Sequence, residues 1–104
     1  MSDTMSNLLK QAQEIQKRLQ EVQEAAAAKQ VTGSAGGGMV VATATGRGEV
    51  VALKIDREVV DPDDVEMLQD LVVAATNQAL RAAQEMMKQA MAEVTGGIDI
   101  PGLL

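Results

Sequence analysis

Residues 31–56 read V-T-G-S-A-G-G-G-M-V-V-A-T-A-T-G-R-G-E-V-V-A-L-K-I-D. Two runs within them, 39–45 and 49–56, are rich in β-branched and apolar residues and bounded by glycines. Only Gly46-Arg47-Gly48 separates them, which predicts a β-hairpin. In the second run Val51, Leu53 and Ile55 share one face, while Val50, Ala52 and Lys54 share the other. One face therefore belongs to a core and the other is partly covered. Residues 31–35 predict a third, Gly-rich edge strand that enters the hairpin through Gly36, Gly37 and Gly38. A lone hairpin is seldom stable in water, so a third strand and a covering helix are both expected. The glycine run is not a phosphate cradle: a P-loop continues into Lys-Ser/Thr and a helix, and this run continues into a strand.

A helix is predicted on each side of this β region. Residues 6–29 contain no Pro or Gly, and Ser6 or Asn7 can cap the start. Their apolar line begins at Met5 and continues through Leu8, Ala12, Ile15, Leu19, Val22 and Ala26. The gaps alternate between 3 and 4, a heptad seam rather than the wide stripe of a globular helix. Such a helix is about 35 Å long at 1.5 Å per residue. A narrow seam on a long polar helix suggests an arm packed on one partner, or an amphipathic helix lying on its own domain. Residues 61–94 predict the second helix. Asp61 is its expected N-cap and Pro62 its first position, with Asp63, Asp64 and Glu66 at the positive end of the dipole. One stripe is Val65, Leu68, Val72, Ala75, Ala79, Ala82 and Met86; a second is Val73, Leu80, Met87 and Val94. Two stripes imply two neighbours, the sheet and another helix. Met86, Met87 and Met91 read as adaptable packing. Gly96-Gly97 ends the helix. Residues 1–97 are expected to form a single domain, with 98–104 as a flexible tail.

The chain of 104 residues has one domain's worth of length, a net charge of −6, and no Cys, His, Trp, Tyr or Phe. Thiolate and imidazole chemistry is excluded, and with it a Ser-His-Asp triad or a Cys/His zinc site. The 48 apolar residues are 16 Ala, 12 Val, 9 Leu, 7 Met and 4 Ile. Alanine buries little area, and small domains are marginal already. The core is therefore expected to be completed by a second chain, with the 72–86 stripe in the interface. No membrane span or signal peptide is readable. No cofactor or metal is expected, and no set of carboxylates converges with a nucleophile, so the chain does not read as an enzyme.

Residues 61–104 hold two basic and eight acidic side chains, which is the whole of the net charge. Five of those acids, Asp61, Asp63, Asp64, Glu66 and Asp70, gather at the start of the second helix. They read as capping residues, since their spacing lacks the alternation and glycine of a calcium loop. Lys10, Lys17, Arg18 and Lys29 lie on the first helix. Arg81 and Lys88 lie two turns apart on the second, and Arg47 tips the hairpin. Helix faces carrying such charges are often no more than solvated surfaces.

Taken in order, L-L-K-Q-A-Q-E-I-Q-K-R-L-Q-E, V-T-G-S-A-G-G-G-M-V, T-G-R-G-E-V-V-A-L-K-I-D, D-P-D-D-V-E-M-L-Q-D-L-V-V-A-A-T-N-Q-A-L and M-A-E-V-T-G-G resemble the YbaB/EbfC family of bacterial nucleoid-associated proteins. The resemblance covers roughly residues 5–97. It implies an α+β fold: an α-β-β-β-α protomer with a small antiparallel sheet and two long helices, forming a homodimer with helical arms. It also implies binding of double-stranded DNA, altered DNA conformation, and a part in nucleoid organisation and gene regulation in the bacterial cytoplasm. The resemblance attributes DNA contacts to the helical arms, where the positions here that could serve are Lys10, Lys17, Arg18, Arg81 and Lys88, with Gln11, Gln13 and Gln84 as neutral contacts. Lys and Arg neutralise phosphates but carry no base information. A dimer would carry −12, twice the chain's −6, so binding would rest on local cations and be strongly salt-sensitive. The competing reading is an adaptor whose arms grip proteins of the replication or recombination machinery.

Overall fold

The computed structural model describes residues 2–96. Helix α1 spans Ser2–Ala28, strands β1, β2 and β3 span Gln30–Ala35, Val40–Thr45 and Val50–Ile55, and helix α2 spans Val65–Val94. The α-β-β-β-α order is the one expected. The sheet is antiparallel in the order β1-β2-β3. Gly48 closes the β2–β3 turn with φ of 89°, a conformation open to glycine because no Cβ clashes there. Val40 pairs with Ile55 and Ala42 with Leu53; the register then slips between Thr43 and Ala44, which brings Val50 opposite Ala44. The expected tail at 98–104 lies outside the described residues.

Directly opposed residues share a face of the sheet. Val31, Gly33 and Ala35 of β1 therefore stand with Val40, Ala42 and Ala44 of β2. α2 lies across this face, burying Ala75, Ala79 and Ala83 against Val40, Ala42 and Ala44. A Cβ on Gly33 would overlap the backbone of Ala75 and Ala79, so α2 sits directly on the β1 backbone there. Small residues on both layers permit this approach and leave a thin core, in which Val40 is the only large side chain fully buried among the described residues. The Gln78 side chain accepts from the Ser34 backbone N–H, tying α2 to β1.

Three expectations are corrected. α2 begins at Val65, not near Asp61. Asp64 is the N-cap and accepts from the Met67 N–H at 3.2 Å; Asp61 instead closes the preceding turn, accepting from the Asp63 N–H at 3.0 Å. An Asx turn competes with the helix for the same carboxylate, and the later aspartate caps. α1 begins at Ser2, before the Ser6 and Asn7 expected to cap it. Finally, the 72–86 stripe expected in a dimer interface faces inward: Ala75 and Ala79 are fully buried by this chain's own sheet. The second stripe meets α1 near Met87 and Val94 and is bare at Val73, which is 58% exposed.

The molecule measures 76 × 23 × 16 Å, with a radius of gyration of 20.1 Å, against about 13 Å for a compact 100-residue domain. The length comes from the helices. α1 packs antiparallel on the last turns of α2, with Gln23, Glu24 and Ala27 beside Met87, and Ile15 and Arg18 beside Val94. This pair projects beyond the sheet as an arm.

Candidate nucleic-acid interface

The five cations expected from the sequence to contact DNA are all exposed. At 100° per residue, Lys10 and Lys17 fall on one line of α1, opposite the apolar seam. Arg18 lies a turn's fraction to one side and lines a shallow hollow with Glu14, Ile15 and Val94. Lys88 follows Met87, whose side chain lines a second hollow at the arm's base with Gln23, Glu24, Ala27, Gly46 and Arg47. Lys17, Arg18 and Lys88 therefore belong to the region where α1 and α2 run together. Lys10 lies further out, where α1 continues alone. Arg81 is set apart: it sits between Ala79 and Ala83 in sequence, which are packed on the sheet, so it belongs to the body rather than to the arm. The structure does not gather the five into one patch.

Two further cations are placed at the arm's base. The N–H of Gly46 donates to the Lys29 carbonyl at 3.0 Å, fixing the end of α1 against the hairpin turn that carries Arg47. Both side chains are exposed. Sequence reading places Lys29 on a helix and Arg47 on a turn. Their proximity follows only from the β1–β2 register, which sets Gln30 opposite Thr45. α1 also carries exposed Glu14, Glu21 and Glu24, so its polar face is mixed in sign and not a dense basic stripe.

Of the acids near the start of α2, Asp61 and Asp64 accept from backbone N–H groups. Among the described residues no group of three or more His, Cys, Asp or Glu is placed to hold a metal ion. No helix among them is long and apolar enough to cross a membrane.

The chain is thus an elongated α+β fold with a projecting helical pair and scattered exposed cations. The YbaB/EbfC DNA-binding family profile matches residues 1–98. The chain is 54% identical over 99 residues to a nucleoid-associated protein of Caldanaerobacter subterraneus subsp. tengcongensis, covering 95% of this chain and 89% of that protein. It is 50% identical over 99 residues to a nucleoid-associated protein of Alkaliphilus metalliredigens, covering 95% and 87%. The crystal structure of an uncharacterized protein from Helicobacter pylori superposes with a TM-score of 0.73 at 28% identity, covering 88% of this chain and 96% of that one. The chain belongs to the YbaB/EbfC DNA-binding family of bacterial nucleoid-associated proteins.

Proposed function

We propose that the chain binds double-stranded DNA as a homodimer, in the nucleoid of the bacterial cytoplasm, with its helical arms on the phosphate backbone. On this reading it alters the path of the duplex and so contributes to nucleoid organisation and gene regulation. Family membership carries the DNA-binding part. Lys10, Lys17, Arg18 and Lys88 supply phosphate contacts on the helical pair, and Arg81 adds one from the body. Exposed Gln11, Gln13 and Gln84 add neutral contacts that position without reading sequence.

Support for the homodimer comes from surface left bare by the protomer. Leu53 stands on the α2 side of the sheet opposite Ala42, yet α2 covers β1 and β2 and leaves Leu53 43% exposed. Val51, Val65 and Val73 are 51, 50 and 58% exposed. A second copy seated on β3 and the neighbouring part of α2 removes this surface from water, which is the favourable term the thin core lacks.

A gel shift on several unrelated duplexes across a salt series tests the binding. Affinity that falls steeply with salt and varies little with sequence supports the proposal. No shift at any salt refutes it. Pull-downs with and without nuclease address the adaptor reading: replication or recombination proteins retained after nuclease treatment favour it.

A further inference from the structure

The outer half of α1 carries an apolar line that the described residues leave without cover. Met5, Leu8, Leu9 and Ile15 are 66, 58, 61 and 55% exposed. Leu19, Val22 and Ala26 continue the line inward and are partly or fully buried. The cover stops because α2 stops: Val94 is its last residue and lines a hollow with Ile15. The residues beside the bare line are uncharged. At 100° per residue, Thr4 and Gln11 fall on one side of it and Leu9 and Gln16 on the other, while Lys10, Glu14 and Lys17 fall on the far face.

We propose that this line is a contact between two copies of the chain, with the outer halves of their α1 helices packed antiparallel. The spacing is self-complementary. Centred at the level of Lys10, an antiparallel pair sets Met5 against Ile15 and Leu8 against Ala12, and the two-fold repeats both pairs. Leu9 then meets its own copy on one side of the axis and Gln11 meets its own on the other. A parallel pair would set Ala12 against Ala12, thinning the middle of the line, and would crowd both bodies at one end. The charge pattern also fits a second copy, because like charges that would repel between identical helices are absent from both flanks. A lipid surface would call for cations beside the apolar line, and Lys10 and Lys17 are turned away from it. The line offers five apolar residues a side, Met5, Leu8, Leu9, Ala12 and Ile15. A standard interface has roughly 20–30 residues a side, so this contact is weak and depends on concentration. It is independent of DNA binding and of the contact proposed on β3.

The absence of cysteine permits a direct test. Full-length Met5→Cys and Ile15→Cys proteins are mixed in equal amounts, left to exchange and mildly oxidised at high micromolar concentration. Mass spectrometry tells mixed from like disulfides. The mixed product is expected to exceed either like product roughly tenfold, through its higher effective concentration. Ser6→Cys, on the far face, is expected to cross-link only as fast as chance collision allows. A statistical mixture of products overturns the proposal, as does the lack of any interchain product. Like pairs in excess overturn it in favour of parallel helices. Sedimentation supplies a second check on chains carrying Leu53→Glu, which removes the proposed β3 contact. Their mass is expected to rise toward that of two chains between low and high micromolar concentration, and added Leu8→Glu is expected to abolish the rise. Leu8 is exposed, so that change leaves the protomer folded. A rise that survives Leu8→Glu, or no rise, overturns the proposal. Loss of two-chain mass on Leu8→Glu supports it whether or not Leu53→Glu releases the β3 contact, so the two readings fail separately. Amide-exchange protection of residues 8–15 that does not change with concentration assigns the line to cover from its own chain and overturns the proposal too.

Discussion

Gly33 and Ala79 pack backbone to backbone, with no side chain between β1 and α2. A Cβ at Gly33 would overlap the Ala79 N and the Ala75 carbonyl oxygen, and would stand 2.8 Å from the Gln78 carbonyl carbon. All three obstacles are main-chain atoms of one helix, so relief requires α2 to move. Gly33→Ala is expected to destabilise by about 1–3 kcal/mol, the usual range for overpacking, and Gly33→Val by more. Gly37 is the contrast. Its φ is positive, at 68°, unlike that of Gly33, but nothing lies within 4 Å of its Cβ position. Gly37→Asn should change stability little, because Asn tolerates that backbone region. Urea unfolding separates the two, and a Gly33→Ala midpoint equal to wild type would exclude the close approach.

The hairpin turn is expected to be equally intolerant, for two different reasons. Gly48 needs its positive φ, whereas a Cβ on Gly46 would overlap the Ala26 carbonyl at the end of α1. Replacing both with Val combines backbone strain with a steric block. Thermal unfolding of the double variant should fall well below wild type. A melting curve within error of wild type is incompatible with this turn.

The hairpin, the third strand and both helices could be read from β-branched runs, glycines and apolar spacing, because those signals are local. The end of α2 could be read because Gly96 follows the last apolar position. Its beginning could not, since Asp61 and Asp64 are equally good caps by residue type, and only the structure shows Asp61 closing a turn on Asp63 and Asp64 capping the helix. The inward direction of Ala75 and Ala79 was also hidden. Two apolar stripes on one helix announce two neighbours but not which stripe meets which. Lys10, Lys17, Arg18, Arg81 and Lys88 are recognisable as exposed. The separation of Arg81 from the arm, and the meeting of Lys29 with the Arg47 turn, depend on where α2 leaves the sheet and on strand register.

Thr45 offers a stabilising substitution. Its Oγ1 is buried and has no hydrogen-bond partner, and a buried unsatisfied hydroxyl is unfavourable. Thr45→Val removes the hydroxyl, keeps the branched shape and suits a strand. Stability should rise by about 1 kcal/mol, read as a higher urea midpoint. A lower midpoint would mean that the hydroxyl is satisfied in solution.

Two glutamate substitutions separate folding of the protomer from its association. Ala79 is fully buried on its own sheet, so Ala79→Glu places an unpaired charge in the core and should cost about 3–5 kcal/mol or abolish folding. Leu53 is 43% exposed in the protomer. Leu53→Glu should therefore leave the circular dichroism spectrum native while shifting sedimentation toward the mass of one chain. A Leu53→Glu variant that stays dimeric at low micromolar concentration would move the proposed interface away from β3.

On the proposed reading, salt dependence measures how many phosphates the arms neutralise. Lys17 and Arg18 are adjacent, exposed and on the part of α1 that runs beside α2. Changing both to Gln keeps helix propensity and leaves Ile15 and Leu19 of the seam untouched. It frees up to two phosphates beneath each arm. Affinity should fall by a similar factor on every duplex, and the slope of log K against log salt should become shallower by roughly 0.9 for each phosphate no longer neutralised. The melting temperature should hardly move, because exposed charges contribute little to stability. The same measurement on Arg81→Gln asks whether the body as well as the arm touches DNA: an unchanged slope confines binding to the helical pair. If slope and affinity are unchanged in a folded, dimeric Lys17→Gln/Arg18→Gln variant, and again for Lys10, Arg81 and Lys88, phosphate binding by these residues is refuted. The adaptor reading, with protein rather than DNA between the arms, then takes its place.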